Sequence, residues 1–119
     1  MHLKHMTYYI KDLNKSVEFY ETMAELKVDR RIPSGQAEIA FLHDCEGATQ
    51  IELIQSPNRK PYAGGGESMF LCFATDKLEA MHGLAQEKGY NPTPIQQAPN
   101  TRYFYMYDPD GISVQLREF

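Results

Sequence analysis

At 119 residues, with 42% hydrophobic and 24% charged positions, the chain has the composition of one soluble globular domain, or of two half-domains sharing a core. No apolar run approaches the ~18 residues of a membrane-spanning helix. A net charge of -4 with dispersed Lys and Arg leaves no basic stripe for nucleic acid, so the expected partner is a small molecule or another protein chain.

The opening stretch MHLKHMTYYIKDL has neither an apolar core nor a small-residue cleavage site, so no signal peptide is expected and the cytoplasm is the default location. Cys45 and Cys72 are too few for a disulfide framework and lack CxxC spacing, which suits a reducing compartment. Residues 3–10 alternate and are rich in aromatic and β-branched types, the pattern of a strand. The following KDLNKSVEFYETMAEL is an amphipathic helix, with Asp12 or Asn14 as N-cap and Leu13, Val17, Tyr20 and Met23 or Ala24 on one stripe. Strands are expected at 27–32, 37–43 and 49–55, separated by the turn-forming PSG and DCEGA.

Residues 56–68, SPNRKPYAGGGES, concentrate Pro and Gly without periodicity and read as a linker. The glycines at 64–66 lack the Lys-Ser/Thr and the strand-to-helix context of a phosphate loop, so a hinge is the better reading. A second unit then repeats the first. A strand at 69–75 leads to the helix DKLEAMHGLAQEKG, with Asp76 as N-cap, Leu78, Met81, Leu84 and Ala85 on one face, and Gly89 as its end. Strands at 93–96, 102–107 and 112–118 follow, the last two joined by DPDG, whose Pro and Gly positions fit a type I turn. Two βαβββ copies would each leave a sheet face uncovered, and pairing them buries the core.

Two stretches carry a family resemblance. HMTYYIKDLNKSVEFY has the spacing H-x6-D-L-x2-S-x2-F-Y on an opening strand and helix, and YDPDGISVQL is a closing D-P-D-G turn and strand. Together they resemble the vicinal oxygen chelate superfamily of glyoxalase I, bleomycin-resistance proteins, fosfomycin-resistance enzymes and extradiol dioxygenases, over nearly the whole chain and closest in pattern to glyoxalase I. The resemblance implies an α+β fold in which two βαβββ modules pair into a half-barrel-like mixed sheet cleft. On that reading residues 1–119 form a single domain: module 1 at about 1–55, the linker at about 56–68 and module 2 at about 69–119. It also implies a homodimer, and two metal-ligand positions per module. These fall on His5 and Glu52 in the first module and on Phe70 and Gln115 in the second, where Phe70 is placed by counting back from Asp76 and a slip of one would give Met69.

Each position also has a plainer reading. His5 alone is an ordinary strand histidine, Glu52 an outward-facing solvated carboxylate, Gln115 a polar residue on the open face of a sheet, and Phe70 a packing residue. His5, Glu52 and Gln115 would bring one negative charge to a divalent ion, where a site of two His and two Glu neutralises it, so binding would be weakened. Glyoxalase-type proton abstraction needs a base, and an amide has no basicity near neutral pH, which leaves Glu52 as the catalytic candidate. Ring cleavage requires two histidines and a carboxylate on one iron, and His43 and His82 are poor substitutes for the missing one.

The strand RYFYMY places Tyr103, Tyr105 and Tyr107 on one face and Phe104 and Met106 on the other, so one face packs and the other meets a ligand or a partner chain. Arg102 is either a contact for an anionic substrate group or a solvated rim residue. The reading adopted is a glyoxalase I (lactoylglutathione lyase)-like lyase or isomerase acting on a small oxygen-chelating substrate. Its metal ligands would be His5, Glu52 and Gln115, its ion Ni, Co, Mn or Zn, and its cleft candidates Phe70, Arg102, Tyr103 and Tyr105. The alternative is a metal-free binding protein resembling bleomycin-resistance proteins.

Overall fold

The computed structural model describes residues 1–47, 49–63 and 68–119. Within them the chain divides into two compact units, Met1–Ala63 and Gly64–Phe119, each an α+β arrangement of one helix and one open four-stranded mixed sheet. The glycines at 64–66, read from sequence as a hinge, lie outside the described residues.

Unit 1 runs β1 (His5–Tyr9), α1 (Leu13–Met23), β2 (Lys27–Ser34), β3 (Ala37–His43) and β4 (Gln50–Gln55), in the sheet order β1-β4-β3-β2. β1 and β4 are parallel, as the helical crossover between β1 and the rest allows, while β4–β3 and β3–β2 are antiparallel. Asp12 is the N-cap of α1, its Oδ1 accepting from the Lys15 N–H at 3.1 Å. Asn14, the other cap candidate, instead accepts from Arg31 at 3.0 Å. The α1 stripe of Leu13, Val17, Tyr20 and Met23 is buried, as are Ala40 and Leu42 of β3 and Ile51 and Leu53 of β4 on the helix-facing side of the sheet. Burial of each large apolar side chain contributes about 1.5–3 kcal/mol, so this layer holds the unit together and leaves the opposite sheet face for other work.

Unit 2 repeats the order with β5 (Leu71–Thr75), α2 (Leu78–Glu87), β6 (Gln96–Gln97), β7 (Arg102–Tyr107) and β8 (Ser113–Glu118), paired β5-β8-β7-β6. The N-cap of α2 is Lys77 rather than Asp76, and no side chain caps it; the Lys77 N–H donates to Thr75 Oγ1 at 3.1 Å. At the other end Gly89 adopts φ +80, with the Tyr90 N–H bonding the Ala85 carbonyl and the Gly89 N–H that of Gln86, the paired bonds of a Schellman motif. β6 is only two residues long. Pro94 removes a donor from the segment expected to pair, and Thr93, flanked by Pro92 and Pro94, bonds Tyr105 instead, through its N–H to the Tyr105 carbonyl (2.8 Å) and through Oγ1 from the Tyr105 N–H (2.9 Å). In the DPDG turn the Gly111 N–H closes onto the Asp108 carbonyl at 3.0 Å, while buried Asp108 Oδ1 accepts from the N–H groups of Asp110 and Ile112. No helix among the described residues is long and apolar enough to cross a membrane.

Candidate functional site

The ladder registers place the candidate residues. In unit 1, β1 sets Thr7 beside Glu52, and β3 sets Phe41 on the other side of Glu52. In unit 2, β5 sets Cys72 beside Gln115, and β7 sets Tyr105 on the other side. His5 precedes Thr7 by two residues, and Phe70 precedes Cys72 by two, so the period of a strand carries both onto the same face as their neighbours. His5, Thr7, Phe41 and Glu52 thus correspond one for one to Phe70, Cys72, Tyr105 and Gln115. The register selects Phe70 over Met69 as the counterpart of His5.

Both sets lie on the sheet face opposite the helix. In unit 1, His5 Nε2 stands 3.4 Å from Glu52 Oε1, and Thr7 Oγ1 donates to the same oxygen at 2.6 Å. The Glu52 side chain is 14% exposed against 37% for His5, so a carboxylate with one oxygen doubly engaged sits beneath a more accessible imidazole. The His5 ring meets buried Phe41 edge to face at 5.6 Å, and the Arg30 guanidinium lies over that same Phe41 ring at 4.4 Å.

In unit 2 the corresponding positions make different bonds. Cys72 Sγ–H donates to Gln115 Oε1 at 3.1 Å, and Gln115 Nε2 donates to Tyr105 Oη at 2.9 Å. Phe70 meets the Tyr105 ring edge to face at 5.4 Å, and Tyr103 meets Tyr105 at 5.7 Å, so Phe70, Tyr103 and Tyr105 form an aromatic surface around the amide. Cys72 is an exposed residue, yet desolvation of its sulfur pushes the thiol above its ordinary value, with the Arg117 charge opposing.

Arg102 is not on this surface. It alternates with Tyr103 onto the helix-facing side, where Nε and Nη2 make a bidentate pair with Glu118 at 2.9 Å each and Nη2 also reaches Glu79 of α2. Its hydrogen bonds hold both carboxylates below the usual range. Arg102 thus lies on the far side of the sheet from Gln115, bound by two carboxylates as a clamp between helix and strands. His82 is likewise structural, its Nε2 2.8 Å from the Thr93 carbonyl and its ring edge to face with Phe104.

This duplicated ladder agrees with the family model described as Glyoxalase/Bleomycin resistance protein/Dioxygenase superfamily, which matches residues 2–116. The chain belongs to that superfamily. In sequence the chain is similar to the uncharacterized protein YwbC of Bacillus subtilis, 33% identical over 96% of this chain and 94% of that protein's length. A lactoylglutathione lyase of Haemophilus influenzae is 25% identical over 99% of this chain and 93% of its own. In structure the chain is similar to TnmS3, an antibiotic binding protein from Streptomyces sp. CB03234, with a TM-score of 0.78, 21% identity, and coverage of 99% of this chain and 95% of that one.

Superfamily resemblance implies a divalent metal, and the donor chemistry here fits one poorly. Unit 1 offers an imidazole and a carboxylate, two good donors. Unit 2 offers a hydrocarbon at Phe70 and an uncharged amide already bonded at both ends. Among the described residues no three His, Cys, Asp or Glu side chains gather into a metal-holding group. Sequence reasoning singled out His5, Glu52, Phe70 and Gln115 but passed over Thr7, Phe41 and Cys72. The period-2 spacing after His5 and Phe70 marks Thr7 and Cys72, whereas Phe41 becomes visible only once β3 is paired with β4.

Proposed function

We propose that this protein binds a small molecule without metal-assisted chemistry, in the manner of the superfamily's binding members. The observation that carries the reading is unit 2. Where a metal-dependent relative needs a donor and a base, this chain has Phe70 and a Gln115 amide held between the Cys72 thiol and the Tyr105 hydroxyl. Nothing there can take a proton from carbon near neutral pH. The aromatic surface of Phe70, Tyr103 and Tyr105 suits a ligand with a planar or apolar part, since aromatic faces supply large contact area.

A second reading, a glyoxalase I-like metal-dependent lyase or isomerase, is favoured by the contact between His5 and Glu52 and by the Haemophilus relative. In it His5, Glu52 and Gln115 hold Ni, Co, Mn or Zn, and Glu52 is the base. One experiment separates the two. After incubation with each of the four ions and dialysis, elemental analysis is expected to find well under one ion per chain. One ion per chain, lost in His5→Ala, overturns the binding reading in favour of the enzyme. A homodimer, implied by the resemblance, belongs to either reading and is checked by sedimentation equilibrium. The two unpaired cysteines suit a cytoplasmic setting.

A further inference from the structure

In a regular strand Val28 and Arg30, two residues apart, would share one face of the sheet. Here they do not. Val28 pairs with Leu42 and Arg30 with Phe41, consecutive positions of β3, and the register shift between them makes Asp29 the extra residue of a β-bulge. The bulge turns Arg30 onto the open face, over the Phe41 ring that His5 touches from another side. Asp29 is itself fixed, its Oδ2 accepting from Gln50 Nε2 at 3.0 Å. Arg31, the next residue, returns to the helix side and bonds Asn14.

Arg30 borders a cavity of about 190 Å³ lined by Lys4, Asp29, Arg30, Gly47 and Gln50. Two cations and one anion line it, and the anion is engaged by Gln50, so the cavity carries a net positive charge. Arg30 makes a ring contact but no ion pair with any described residue, and its guanidinium is an exposed fork with donors to spare. Stacking on Phe41 limits the orientations of that fork, which lowers the entropy lost when it grips a ligand.

We propose that Arg30, with Lys4 beside it, is an oxyanion-recognition subsite on the open face of unit 1, which takes the carboxylate of a small ligand and turns the rest of the molecule toward His5 and Glu52. The planar guanidinium matches a carboxylate in two parallel hydrogen bonds, and Lys4 adds a point charge. This deepens the binding reading above and rests on it.

The test is an NMR titration of the full chain with benzoate, its neutral isostere benzamide, and inorganic phosphate at matched ionic strength. Benzoate is expected to shift the Arg30 Nε–H and the His5 ring saturably. Its affinity should fall about tenfold or more in Arg30→Gln, as loss of a charge-assisted pair implies, and about threefold in the exposed Lys4→Gln. Arg31→Gln, on the other face, should leave it unchanged. A tighter response to phosphate than to benzoate overturns the carboxylate assignment. A non-saturating response to both anions, or equal benzoate affinity in Arg30→Gln, overturns the subsite. Equal binding of benzamide and benzoate also overturns it while leaving the binding reading intact.

Discussion

Gln115 Nε2 donates to Tyr105 Oη at 2.9 Å across adjacent strands, and this pair replaces the one that Glu52 and Phe41 form at the same ladder position of unit 1. Hydrogen bonds between neutral partly buried groups contribute about 1 kcal/mol net. A double-mutant cycle with Tyr105→Phe and Gln115→Leu, followed by urea denaturation, is therefore expected to return a coupling of about 1 kcal/mol. Additive single effects would mean that the two side chains do not act on each other.

The Cys72 thiol should be slow to alkylate. Partial burial favours its neutral form, so less thiolate is present at a given pH than for an ordinary thiol. Iodoacetamide at pH 8 followed by mass spectrometry should label Cys45 before Cys72, and the lag should narrow as pH rises. Because the folded value lies above the unfolded one, the stability linked to this group is present at lower pH and is lost as pH climbs through the folded value. Preferential labelling of Cys72 at pH 8 would contradict this.

The clamp of Arg102 on Glu79 and Glu118 predicts the opposite sign. Both carboxylates have folded values below their unfolded ones, through hydrogen bonds from Arg102 first of all. Their contribution is thus present above the unfolded carboxylate range and is lost as pH falls through the folded values. Arg102→Met should lower the melting temperature at pH 7, and the difference from the wild type should shrink at about pH 3 and at high salt. A pH-independent difference would assign the loss to packing of the arginine stem.

Asp108 is buried and accepts two backbone N–H groups with a single carboxylate oxygen. Asp108→Ala strands both donors and is expected to cost about 2 kcal/mol in chemical denaturation, whereas Asp108→Asn, which keeps an acceptor, should cost about half as much.

The strands at 37–43 and 102–107 are legible to the residue because alternation, turn signals and β-rich composition agree there. The DPDG turn is legible for the same reason, and it fixes Gln115. Helix ends are less so: Asp76 has the chemistry of a cap, but α2 starts one residue later, and Thr75 Oγ1 bonds the Lys77 N–H instead. Strand 93–96 fails because Pro94 removes a ladder donor, which periodicity alone does not weigh. At the candidate site, His5, Glu52 and Gln115 can be named from motif spacing. The side of the sheet that Arg102 occupies follows from strand alternation, but its two carboxylate partners come from sequence-distant elements. The bulge at Asp29 has no sequence signal, so the exposed face of Arg30 could not be read.

The matching registers of Thr7 with Glu52 and of Cys72 with Gln115 also show how little separates the two units at this face. Unit 2 carries phenyl where unit 1 carries imidazole, and amide where unit 1 carries carboxylate, at matching rungs of the parallel ladder. At these rungs the two units differ in side chains and not in register, so giving unit 2 the donors of unit 1 takes two substitutions, Phe70→His and Gln115→Glu, with no change of chain length. Laboratory evolution toward metal-dependent activity would begin at those two codons.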